Sequence, residues 1–365
     1  MLYIIYVVLL FIMIAQINYW VCKKLKIEKE SYKYKTLTGL RGICATFVVI
    51  SHTFWRWGNE SNHYWDLDVL KSANLLPMGM QMGNLSVGFF FILSGFLFFK
   101  YAMNPNKSDI EFFKNRFWRL YPAILFSIFL IFLTVIILGN SYLLPVCYTQ
   151  FLNILPTPFG PFDDTFICGY RLFFINSGVL WSLVWEIRLY LFIPILCMLF
   201  KYTKKYITTN IILIILTFSL YFLDILNNNQ ATFIMLFLCG FMAAALEKTI
   251  TMPNYFFWIG IILFVLLYHY VGQPYYSPYY TIALFLVFYP IMKGYNPFNI
   301  FNNEKTQYLG ITSFSIYLNH GVFQFLSKYY LYHEGYLIWQ IVSAILIAII
   351  APFLYKYIEL KYNKK

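Results

Sequence analysis

Acidic side chains are scarce in this sequence: Asp and Glu together number 15 among 365 residues, and all charged residues amount to 12%. A soluble domain carries about a quarter charged residues, so a wholly water-facing surface is excluded. Cysteine is equally sparse, and none of the six pairs at the two-residue spacing that lets two thiolates reach one zinc ion. No metal site is expected. The sequence has no block repeated at a fixed period, no low-complexity run and no stretch that reads as an appended soluble domain. No cation precedes the first apolar run, residues 2–21, and it ends in Cys-Lys-Lys at 22–24 instead of small residues. Those flanks argue against a cleavable secretory signal, so the run is expected to remain as a spanning helix.

What is present is apolar surface. Hydrophobic residues make up 61% of the chain and aromatic residues 22%, and lipid is the solvent that accepts such an excess. Eleven runs approach the ~20 residues a span requires: 2–21, 38–57, 85–101, 119–138, 179–200, 207–223, 231–247, 255–271, 279–292, 308–326 and 336–356. The expected fold is therefore all-α, a polytopic transmembrane helix bundle of about eleven spans. The net charge of +12 sits in short connections at alternate positions, such as residues 23–35, 100–119, 201–205 and 356–365. Charge spread this way is not a nucleic-acid face. The positive-inside rule makes those connections cytoplasmic, with the N-terminus outside and the C-terminus inside. A division follows: residues 1–35 form an extra N-terminal transmembrane helix and basic loop, 36–360 the main transmembrane domain, and 361–365 a basic cytoplasmic tail. Residues 139–178, with Pro145, Pro156, Pro158 and Pro161, read as a structured external loop or lid. Cys147 and Cys168 both fall there, and a disulfide between them would suit an oxidising compartment.

Ionisable groups inside spans are expensive, which makes each one a functional candidate. Arg41 and His52 are eleven residues apart. Eleven steps make about 1100°, within ~20° of three turns, so the two share a helix face ~16 Å apart along the axis. Arg41 is a permanent cation suited to phosphate, and His52 is an imidazole able to act as base or nucleophile. The alternative is a snorkelling arginine and an unrelated core histidine. Counting inward from the expected outer face puts Glu186 and His320 at a depth similar to that of His52, where a carboxylate beside an imidazole would raise its basicity. Arg116 and Arg119 lie about one turn apart at the mouth of their span, as a diphosphate grip or as positive-inside anchors. Ser94 precedes Gly95 inside an apolar helix, a step that permits close helix contact and places a hydroxyl for a donor or a covalent relay. Trp55, Trp57 and Trp65 would suit sugar stacking or a membrane-interface belt. His269 lies near the outer end of its span, and Arg188 has no evident role.

Several of these stretches, taken in order, resemble the membrane acyltransferase-3 family: Leu-Thr-Gly-Leu-Arg-Gly at 37–42 leading to His52, Phe-Ile-Leu-Ser-Gly-Phe at 91–96, Arg-Phe-Trp-Arg-Leu-Tyr-Pro at 116–122, Trp-Ser-Leu-Val-Trp-Glu at 181–186, Ser-Ile-Tyr-Leu-Asn-His at 315–320, and Tyr-Ile-Glu at 357–359. The resemblance implies an O-acyltransferase of the cell membrane, with acetyl-CoA or another acyl-CoA as donor and a glycan or lipid-linked saccharide as acceptor. It strengthens Arg41, His52, Arg116, Arg119 and Glu186 as site residues; together with the depth of His320 and the hydroxyl of Ser94, the expected catalytic set is His52, Glu186 and His320 and the expected donor-binding set Arg41, Arg116, Arg119 and Ser94, with no metal and no nucleic-acid partner. A transporter or flippase for a lipid-linked glycan is the rival reading. It would favour internal two-fold repetition, which this sequence lacks.

Overall fold

The computed structural model describes residues 2–28, 33–53, 56–57, 65–66, 76–103, 109–138, 150, 152–160, 165–167, 169–271, 277–331 and 336–363. Where described, the apolar runs are mainly helical: α1 (Leu2–Lys24), α2 (Lys35–Thr53), α3 (Leu76–Ala102), α4 (Asp109–Ile137), a short α5 (Leu172–Asn176), α6 (Leu180–Thr203), α7 (Tyr206–Phe222), α8 (Asn228–Leu246), α9 (Tyr255–Val271), α10 (Tyr280–Met292), α11 (Glu304–Ile311), α12 (Ser313–Leu331) and α13 (Tyr336–Leu354). Among the described residues, six helices are long and apolar enough to cross a membrane: α1, α3, α4, α6, α8 and α13, the last continued to Glu359. The chain is a multi-pass, helical membrane protein. Among the described residues, two small antiparallel pairs of strands, β1 (Arg56–Trp57) with β2 (Trp65–Asp66) and β3 (Phe166–Ile167) with β4 (Tyr170–Arg171), and a bridge between Thr157 and Gly160 depart from an all-α chain.

Lipid gives helices no hydrophobic reason to associate, so close packing of small residues and interhelical hydrogen bonds must hold them. Gly95 of α3 faces Gly240 of α8, and a Cβ on either would collide with the other helix's backbone. The Ser-Gly step thus serves close contact through its glycine, while Ser94 turns the other way. Gly42 and Gly310 bring the backbones of α2 and α11 together in the same manner. Proline is tolerated inside α4, α6, α10 and α13, as neighbouring helices re-satisfy the freed carbonyls.

Two segments differ from their expected form. The run 308–326 is a broken span: α11 ends at Ile311, Thr312 carries the break, and α12 begins at Ser313. The N-terminal α1 packs on α11 and α13 and supplies Asn18, whose side-chain amide donates to the Thr312 hydroxyl at 3.1 Å. The described part of 139–178 is not merely a loop above the bundle. Arg188, eight residues and ~12 Å along α6, donates from Nε to the Pro158 carbonyl at 2.8 Å, and residues 172–180 are almost wholly buried. Cys147 and Cys168, the proposed disulfide pair, lie outside the described residues, as do Trp55 and the side chains of Trp57 and Trp65.

Candidate functional site

A cavity of about 110 Å³ opens among α2, α3, α4, α6 and the α11/α12 break. Arg41, Ser94, Arg116, Arg119 and Glu186, five side chains picked out from the sequence, all line it, together with Ser182, Ser313 and Tyr317. Each arrives by a simple route. Arg41 lies on the second turn of α2, Arg116 and Arg119 are one turn apart on α4, and Glu186 points in from α6.

The cations are held by aromatic faces and carboxylates. The Arg116 guanidinium lies over the Phe98 ring, 4.4 Å from its centroid, and feels the charges of Glu186 and Arg119. Glu186 accepts a hydrogen bond from the Tyr190 hydroxyl at 2.6 Å. That carboxylate therefore belongs to the arginine group; the hydrogen bond expected to run from an imidazole goes to a phenol one turn away. A second carboxylate, Glu359, lies near two of these arginines. It is buried, bonded by the Ser315 hydroxyl, and within electrostatic reach of both Arg41 and Arg119. Its geometry has a local cause: Pro352 interrupts the hydrogen-bond ladder of α13, and a π-helical turn, Tyr355–Glu359, follows. Such wide turns re-aim side chains and are frequent at functional sites. Glu359 ends the Tyr-Ile-Glu stretch at 357–359, where spacing alone points to no role.

His52 and His320 do not line the cavity. They lie beside it, with their rings 5.2 Å apart between centroids, behind the Phe90 and Tyr317 rings that close its end. Tyr317 is 5.7 Å from Phe90 and 6.2 Å from His320, and its hydroxyl is anchored to Ser182 on α6 at 2.7 Å. No pattern marks Tyr317 as the partition, since a tyrosine in an apolar run is ordinary. His320 is completely buried. Its Nδ1 faces the Tyr317 carbonyl at 2.8 Å; a carbonyl only accepts, so Nδ1 carries the proton and Nε2 presents a lone pair. Among the described residues Nε2 has no hydrogen-bond partner.

The remaining sequence candidates fall elsewhere. His269 is exposed against Tyr270, and Arg188 finds its task in pinning Pro158 and stacking on Trp185 at 4.7 Å. Cys22, Cys44 and Cys239 are buried free thiols.

Comparison with known proteins places residues 34–357 on the family model described as an acyltransferase domain. Over 177 residues the chain is 27% identical to "Nodulation protein 10" of Rhizobium leguminosarum bv. viciae. That match covers 46% of this chain and 45% of the relative, so the chain spans under half the length of that curated protein. No solved structure matches.

Proposed function

The chain belongs to the membrane acyltransferase-3 family, matched over residues 34–357, and from that premise we propose that it transfers an acyl group, acetyl in the first instance, from acyl-CoA to a hydroxyl of a cell-envelope or exported glycan. One observation carries the reading: a single cavity collects three arginines at one end and abuts a pair of imidazoles at the other.

In this proposal the chain crosses the plasma or inner membrane eleven times with its C-terminus cytoplasmic, and α1 is an addition to the transferase domain proper. Arg41, Arg116 and Arg119 grip the donor's phosphates from the cytoplasmic side, where forked guanidinium groups suit the task. Glu186 and Glu359 hold those forks apart and in register. The pantetheine arm runs past Ser94 toward Tyr317, bringing the thioester to the imidazole layer. There the acceptor hydroxyl attacks the thioester carbonyl, a C–O bond forms, and the proton passes to an imidazole. As the tetrahedral intermediate collapses the C–S bond breaks, and the imidazolium returns the proton to the departing thiolate.

The test is turnover by purified protein. Wild type is expected to release free CoA thiol from acetyl-CoA in the presence of acceptor glycan. His52→Ala should lower that rate by ~10² to 10⁴-fold while remaining monodisperse in detergent. Near-normal turnover of His52→Ala would reject the assignment, and a wild type that never cleaves the thioester would reject the function.

A further inference from the structure

The imidazole layer contains a second polar side chain left unsatisfied. Asn176 ends α5 and is 1% exposed. Its Oδ1 accepts a hydrogen bond from the Gly178 N–H at 2.8 Å, which fixes the orientation of the amide. The other half of that amide, Nδ2, is buried and has no acceptor among the described residues. Buried donors are nearly always paired, so each exception calls for a cause.

The turn itself does not supply one. Ser177 and Gly178 both adopt left-handed backbone, at φ 56° and 69°, and a side-chain oxygen on residue 176 steadies that turn. Asp or Ser would provide the oxygen equally well without burying an idle NH₂. What Asn adds is the donor.

Position gives the donor a purpose. The backbone of Asn176 and Ser177 lies directly against Gly321, the residue after His320, so closely that a Cβ at 321 would overlap it. The Ser177 hydroxyl donates to Gln324 Oε1 at 3.4 Å, and Gln324 Nε2 donates to the Val49 carbonyl at 2.8 Å, one turn before His52. One glutamine thus ties the Asn176 turn, the helix of His320 and the helix of His52 into a single buried layer. That layer holds an unpaired acceptor, His320 Nε2, and an unpaired donor, Asn176 Nδ2.

We propose that Asn176 is a catalytic residue of this site, its amide Nδ2 donating to the oxyanion that forms on the acyl carbonyl. The inference rests on the acyl-transfer reading above. When the acceptor oxygen bonds to the carbonyl carbon, the C=O pair moves onto oxygen, and a preorganised donor in a water-poor layer stabilises that charge far more than water would. The same pair re-forms the carbonyl as the C–S bond breaks, so the donor is left unchanged.

The experiment uses the full chain with acetyl-CoA as probe, rates being normalised to monodisperse protein and referred to wild type and His52→Ala. Asn176→Asp keeps the oxygen that holds Gly178 and removes the amide donor; Asn176→Ala removes both. The expected result is a fall in kcat of ~10²-fold or more for both variants, with KM for acetyl-CoA within about two-fold of wild type and, for the Asp variant, an unchanged melting midpoint. A purely structural asparagine would give near-normal kcat in Asn176→Asp and damage only in Asn176→Ala, which would overturn the assignment. A loss of rate that disappears after normalisation would overturn it too. Wild type without thiol release would instead bring down the acyl-transfer reading, an outcome distinct from active wild type with active Asn176→Asp.

Discussion

The two ends of the cavity are organised by different means. At the arginine end, long flexible cations are positioned by side chains: the Phe98 ring beneath Arg116, Glu186 near it, and Glu359 within electrostatic reach of Arg41 and Arg119. At the imidazole end the backbone does the positioning, through the Tyr317 carbonyl on His320 Nδ1 and the Asn176 turn against Gly321. The first end can adjust to a bulky polyanion, because paired side chains swing. The second holds its groups to a fixed geometry, which suits the step in which bonds are made. Binding and chemistry should therefore separate under mutation.

The sharpest break of that contrast sets Arg119→Ala against His52→Ala. Loss of one charge-assisted fork removes roughly 1.5–3 kcal/mol, so Arg119→Ala should raise KM and Kd for acetyl-CoA by about 10 to 100-fold and leave kcat within a few-fold. His52→Ala should show the converse, with donor binding intact. Calorimetric titration together with steady-state kinetics checks both, and an unchanged donor Kd in Arg119→Ala would remove phosphate recognition from the arginine end. A smaller effect is expected of Glu359→Gln, which keeps the Ser315 hydrogen bond but cancels the charge near two guanidinium groups. Donor Kd should shift by about 3 to 10-fold, whereas a fall in kcat with normal Kd would tie Glu359 to the chemistry instead.

The smallest effect concerns a contact remote from both ends. Lys100 at the end of α3 pairs with Glu247 at 2.5 Å, and Tyr34 donates to the same carboxylate at 2.7 Å. Burial raises the Glu247 carboxyl, but the bonds from Lys100 and Tyr34 outweigh it and hold the group below its ordinary value of 4.5. A carboxyl depressed in the folded state adds stability above its unfolded value and loses it as pH falls through the folded one. Between pH 7 and pH 3.5 the melting midpoint of wild type should drop more than that of Glu247→Gln, by about a degree or two for a single half-buried pair. Parallel curves would show that the link contributes nothing measurable.

Much of the helical layout was legible because lipid imposes a one-dimensional signal: an apolar run long enough to span is a helix wherever it packs. The sharing of one cavity by Arg41, Arg116, Arg119, Glu186 and Ser94 was legible for a related reason, since each is a polar residue that hydrocarbon would reject. Contacts between helices were not legible. Nothing in the pattern said that Tyr317 would stand between cavity and imidazoles, or that Asn18 of α1 would meet Thr312, because those facts depend on which faces meet. Asn176 escaped notice for a further reason. It sits in the proline-bearing connection 139–178, and only its burial against Gly321 gives it meaning.

One consequence of α2 is a matter of length. Arg41 and His52 ride on the same unbroken helix, clamped at its lower part where Gly42 meets Gly310, so the ~16 Å between them is set by backbone rise and not by side-chain choice. The helix is thereby a ruler. A donor whose anionic handle and reactive carbonyl are joined by too short an arm would reach one mark and miss the other, whatever its acyl group, and selection among thioesters would begin with the tether before the acyl chain is sensed at all.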